Sequence, residues 1–253
     1  MESDPILLAA VAVWCFAVAL VGGAIGLVLG NIRLPAIVAV ASGPAAGAGA
    51  NVGISGAAAT AAAIVHIRAG RIDWPVFAWM APPSMVGALA GGYASGLLPD
   101  SALLVAIGVT LLYFGVRLLR PGGTTRPRRD EREGPSIAGV VLSGFGIGVL
   151  GGLIGLILGA LRMPALLRWV GGSAHQAVGT NLAVGVCVGV AGVLGHSPAG
   201  VDWGLLAIGA AASIPGALLG SRLTGKLSEA ALLKAIGAML VVAGTVMLVQ
   251  AAL

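Results

Sequence analysis

Charge is scarce in this sequence. Only 9% of its 253 residues are Asp, Glu, Lys or Arg, against about 25% in a soluble domain. That scarcity excludes an ordinary water-soluble globule. Carboxylates are scarcer still. The nine acids are Glu2, Asp4, Asp73, Asp100, Asp130, Glu131, Glu133, Asp202 and Glu229, and all fall in termini or loops. With no carboxylate inside an apolar run, the sequence speaks against an acid-based proton relay. Two cysteines, Cys15 and Cys187, lie in apolar runs without metal-ligand spacing. They read as small apolar residues, and neither a metal site nor a cofactor is expected. The opening "MESDP" is acidic where a signal peptide would be basic, so the first apolar run reads as a permanent helix.

What the chain has instead is apolar length: 58% hydrophobic residues and 42 glycines. Runs of about 18 or more apolar residues read as membrane spans. Residues 5–30, 46–67, 74–97, 101–119, 136–161, 177–195, 203–220 and 232–253 qualify as candidates. The expected class is an all-α polytopic membrane protein whose main partner is the lipid bilayer, multi-pass in the cell inner (cytoplasmic) membrane. The net charge of +5 comes from loop arginines and is no nucleic-acid signal.

The chain reads as two copies of one unit. Arg33 and Arg162, Pro35 and Pro164, Gly30 and Gly159, Asp73 and Asp202, Trp74 and Trp203, and Gly87 and Gly216 are each 129 positions apart. One residue of slip matches Asn51 to Asn181 and His66 to His196. Residues 1–119 form the first repeat and 137–253 the second. The polar linker 120–136, "RPGGTTRPRRDEREGPS", lies between them. Its arginines place it in the cytoplasm, because basic short loops stay inside. By the same rule loop 68–73 is inside and 98–101 outside, whereas in the second copy 195–202 is outside and 221–234 inside. Equivalent loops on opposite sides predict inverted-topology repeats of about five membrane segments each, with short Pro/Gly-broken helices near the midplane. The N-terminus is then outside. The alternative is four spans plus a re-entrant hairpin per copy, which would make the copies parallel.

"GLVLGNIRLPAIV" (26–38) and "GLILGALRMPALL" (155–167) place an arginine inside an apolar run twice. An ionised arginine at the bilayer centre costs about 2.5–3.5 kcal/mol on insertion scales. An inverted repeat would bring Arg33 and Arg162 face to face across one cavity, where a shared anion would relieve their repulsion. Interfacial anchoring is the competing role. The second pass, about 32–47, is expected to be interrupted by Pro35, Gly43 and Pro44, and its counterpart by Pro164. The prolines are expected to free backbone amides, and Gly30 and Gly159 to allow close approach. Asn51, Asn181 and Thr180 are candidate ligands, with interhelical hydrogen bonding as the alternative. Ser55 reads as an interhelical hydrogen bonder between packed spans. His66 and His196, at span ends, read as capping or interface residues. Asp73-Trp74 and Asp202-Trp203 read as helix caps followed by interface tryptophans.

With these residues in view, the chain resembles the TauE/SafE family of sulfite-exporter-like permeases over nearly all of both halves. The likeness is carried by the glycine-led "RLP" and "RMP", "AVGTN" (177–181), "AGRIDW" (69–74), "AGVDW" (199–203), "VGALAGG" (86–92) and "PGALLGS" (215–221). It departs where "GNIRLP" and "GALRMP" keep one glycine and insert the arginine. The resemblance implies a membrane transporter, an exporter or facilitator, of small sulfur-containing anions such as sulfite, sulfoacetate or related sulfonates. A homodimer is compatible with the sequence. An anion channel on the same scaffold is the first alternative. An intramembrane hydrolase is the weaker one, because "GISG" (53–56) offers Ser55 with His66 eleven residues away, about 16 Å along one helix.

Overall fold

The structure, a computed structural model, describes residues 5–25, 27–120, 137–159, 161–162, 166, 174–222 and 229–252. Nine α-helices lie among them: α1 (Pro5–Ile25), α2 (Gly30–Val40), α3 (Pro44–Arg68), α4 (Trp74–Ser95), α5 (Asp100–Leu119), α6 (Ile137–Ile154), α7 (Ala174–His196), α8 (Trp203–Arg222) and α9 (Glu229–Ala252). A 3-10 turn, Ser197–Ala199, follows α7. By length and mean hydropathy α1, α3, α5, α6, α7 and α8 can each cross a membrane. The surface agrees with that reading. Val13, Val86, Tyr113, Leu142 and Val242 are exposed, while Arg33, Asn51, Ser55, Arg162, Asn181 and His196 are buried. Apolar groups outside and polar groups inside suit a hydrocarbon solvent.

The local causes are ordinary ones. The Asp73 carboxylate accepts the Val76 N–H at 3.0 Å, and Asp202 accepts the Leu205 N–H at 3.0 Å. Both expected caps are therefore made, and Trp74 and Trp203 beside them are more than half exposed. Proline stands at the start of α3, where a missing N–H costs nothing.

Pro35 is a correction. It was expected to break its helix, but α2 runs through it to Val40. The interruption expected at Gly43 and Pro44 is present: the chain breaks at Ala41–Gly43, ahead of Pro44. Eleven residues at 1.5 Å each make α2 about 16 Å long, too short for a hydrocarbon core of about 30 Å.

The halves interlock. α1 packs along α8, α4 along α6, α5 along α9, and α3 along α7. The contacts recur under exchange of the halves. Gly87 abuts the Phe145 carbonyl while Gly216 abuts that of Phe16, and Gly91 meets Val149 while Gly220 meets Leu20. Gly108 lies against Gly244, and Gly115 against Gly237. At each of these places a Cβ would collide with the facing helix, so glycine permits backbone-to-backbone approach.

Helix directions follow from the same contacts. Gly49 near the start of α3 packs on His196 at the end of α7, and Gly179 near the start of α7 packs on His66 near the end of α3. These two helices run antiparallel. α1 and α8 are parallel, since Phe16 meets Gly216 and Gly23 meets Gly220. His66 and Ser221 line one cleft at one end of the bundle. At the other end, His196 Nδ1 and Ser95 Oγ share a hydrogen bond of 2.9 Å.

Candidate anion site

α2 and α3 build the first cluster. Arg33 projects from the second turn of α2 and is 1% exposed. Its Nε donates to Asn51 Oδ1 at 2.9 Å. Its Nη2 donates to Ser55 Oγ at 2.6 Å and to the Asn51 carbonyl at 3.3 Å. Asn51 Nδ2 in turn donates to the Gly30 carbonyl at 3.2 Å and to the Gly155 carbonyl of the second half at 2.8 Å. Gly30 sits directly against Ser55 Oγ. Gly155 follows α6 at φ +72° with its backbone on that of Ala48, a conformation and a closeness that favour glycine.

The second cluster repeats the parts but not the bonds. Gly159 packs against the Asn181 amide, as Gly30 packs against Asn51. Arg162 is 0% exposed, yet among the described residues its Nε, Nη1 and Nη2 have no hydrogen-bond partner. Asn181 Oδ1 likewise has none. In the first half the corresponding atoms bond each other. Five donor N–H groups on a buried cation without acceptors are costly, and a small oxyanion would satisfy them in bidentate geometry.

The remaining expected residues are placed as follows. Thr180 Oγ1 accepts the Asp73 N–H at 2.9 Å, so that hydroxyl holds the loop before α4. Pro164 lies outside the described residues. Of the amides near Pro35, the Ile32 N–H is taken by Asn31 Oδ1 and the Leu29 carbonyl. His196 is no interface residue. It is 0% exposed, with Nε2 2.7 Å from the Gly152 carbonyl and Nδ1 on Ser95, a bridge among α4, α6 and α7. Ser55, read as an interhelical hydrogen bonder, is Arg33's partner across α2 and α3. The signal was present: Ser55 stands one helical turn after Asn51, on the same face. Its hydroxyl is bonded to a guanidinium and to no histidine among the described residues.

A narrow cleft reaches Arg33 between α1, α3, α7 and α8. Gly22, Leu27, Arg33, His66 and Ser221 are among its lining, and Arg162 is not.

The sequence model of the family described as "Sulfite exporter TauE/SafE" matches residues 11–247. The chain belongs to the TauE/SafE family. The match spans both halves and the linker, so both arginine clusters lie inside the family's matched region. TauE/SafE proteins are membrane transporters of sulfite-type anions, and the six candidate spans agree with a multi-pass membrane protein. No curated protein and no solved structure matches the chain.

Proposed function

We propose that this TauE/SafE protein carries small sulfur oxyanions, such as sulfite, sulfoacetate and related sulfonates, outward across the cytoplasmic membrane. The buried guanidinium of Arg162 supplies the positive charge that receives them. The observation that carries this reading is Arg162, fully buried with three unpartnered nitrogens among the described residues. A buried cation left open is what an anion carrier needs between cargoes. Burial also makes each contact worth more than at a surface.

The repeats are read as inverted, with loops 68–73 and 221–234 cytoplasmic. The antiparallel run of α3 and its counterpart α7 supports this, as does the shared cleft of His66 and Ser221. Outward transport follows from electrostatics. With the cell interior negative, each charge gains about 2.3 kcal/mol per 100 mV on leaving, so a dianion gains roughly twice that. Export then requires no coupling ion.

The test is a binding titration of purified protein against sulfite, sulfate, thiosulfate, sulfoacetate and taurine. Wild type is expected to saturate with at least one sulfur oxyanion, and the double variant Arg33→Ala/Arg162→Ala to bind none measurably. Equal affinity in the double variant would overturn the reading.

A further inference from the structure

The two arginines are not equivalent, and the difference is written at one pair of positions. Ser55 of the first half corresponds to Gly185 of the second, by the same offset that pairs Asn51 with Asn181. In the first half Ser55 Oγ takes Arg33 Nη2 at 2.6 Å. At Gly185 there is no hydroxyl, and a Cβ there would stand 3.2 Å from Ile157 Cγ2 and 3.6 Å from Ala59 Cβ. Among the described residues the Arg162 nitrogens have no hydrogen-bond partner.

We infer that Arg162 alone is the anion seat, that an oxygen of the anion stands in for the serine hydroxyl missing at Gly185, and that Arg33 is a structural post. This deepens the proposed function and rests on it. When an anion binds, Arg162 Nε is left for Asn181 Oδ1, the bond that Arg33 and Asn51 already make. The terminal nitrogens then take two oxygens of one sulfonate or sulfite group, the bidentate contact a guanidinium suits. Arg33 cannot do the same without first giving up Ser55 and Asn51, both of which are fully buried. The first-half cluster therefore fixes α2 on α3, and the glycine at 185 is the specificity-determining position. The seat admits a tetrahedral or pyramidal oxyanion and disfavours neutral solutes, which would leave the buried charge unmatched.

The experiment is a titration with sulfite and with thiosulfate of protein in phosphatidylcholine nanodiscs. Gly185→Ser supplies the internal acceptor and should weaken binding about tenfold or more, the range for one hydrogen bond to a charged group. Gly185→Ala adds the same Cβ without the hydroxyl and should stay within about threefold of wild type, since Ile157 must yield only slightly. Should Gly185→Ser not assemble, Arg162→Gln and Arg33→Gln decide. The first should lose affinity about tenfold or more, and the second should keep it while lowering thermal stability. Adding phosphatidylglycerol should leave affinity unchanged; competition by that lipid would make a headgroup the ligand and overturn the inference. It is also overturned if Gly185→Ala weakens binding as much as Gly185→Ser, or if Arg33→Gln loses as much as Arg162→Gln. Those results leave anion binding itself standing. A wild type that binds no sulfur oxyanion removes both the inference and the function beneath it.

Discussion

Asn51 is the side chain of the first cluster that reaches into both halves. It joins Arg33, the Gly30 carbonyl and the Gly155 carbonyl, so α2, α3 and the second half meet at one amide. Hydrogen bonds within membrane proteins average only about 0.6 kcal/mol. Orphaning a buried charged donor costs more, about 1–3 kcal/mol or above. Asn51→Ala is therefore expected to lower thermal stability clearly more than Asn181→Ala, whose Oδ1 has no partner to lose among the described residues. Unfolding midpoints of the two variants in one detergent check this, and equal losses would contradict it. The pairing of Arg33 with Arg162 was legible from the 129-residue offset alone. The bond between Arg33 and Asn51 was not, because it spans 18 residues and a helix break that the sequence spread over Pro35, Gly43 and Pro44 and the fold places at Ala41–Gly43. The difference between Ser55 and Gly185 was visible as letters. Its meaning required knowing that Ser55 faces the guanidinium.

At the scale of elements, glycine stripes set the helix pairs. Along α6, Gly144, Gly148 and Gly152 lie against Ser84 and Ala88 of α4, one every four residues on one face. Gly152→Leu should disrupt assembly, because its Cβ would run into the Ala88 backbone. Gly146, with nothing within 4 Å of such an atom, should accept Ala with little change, or with a slight gain from helix propensity. Monodispersity on size exclusion and the unfolding midpoint report both. A Gly152→Leu protein as stable as wild type would mean that α4 and α6 do not pack this closely. The sequence showed these helices as apolar runs. Which pairs touch was beyond it, because a glycine-rich span of low polarity has no polar face to mark its buried side, unlike a soluble amphipathic helix.

At the scale of the whole molecule, the ends of the bundle carry the prediction. His66 and Ser221 share one end, and Ser95 and His196 the other. Single cysteines replacing Arg71 and Ser221, in a background with Cys15 and Cys187 changed to Ala, should react with an impermeant thiol reagent only from the cytoplasmic side. Cysteines at Asp100 and Ser197 should react only from outside. Labelling of positions 100 and 221 from the same side would refute the inverted arrangement. The class was legible from the apolar runs; of the eight read as candidate spans, six described helices are long and apolar enough to cross, and the direction of each copy was inferred from loop arginines. The linker arginines of 121–136 and the 223–228 loop lie outside the described residues, so sidedness rests on chemistry that labelling can read directly.

The exchange of helix partners between halves has a consequence for synthesis. α1 leaves the ribosome first, and its partner α8 comes nearly two hundred residues later; α4 must likewise wait for α6. A nascent first half thus sits in the bilayer with its glycine stripes uncovered and Arg33 tied only to its own repeat. It is an insertion intermediate without a finished core, open to quality-control proteases until the second half arrives. Split at the linker and expressed as two polypeptides, each half should be degraded alone and rescued by the other, with the rescued complex recovered when only one half carries an affinity tag. Survival of the first half by itself would show that the interlocked pairs form late and add little.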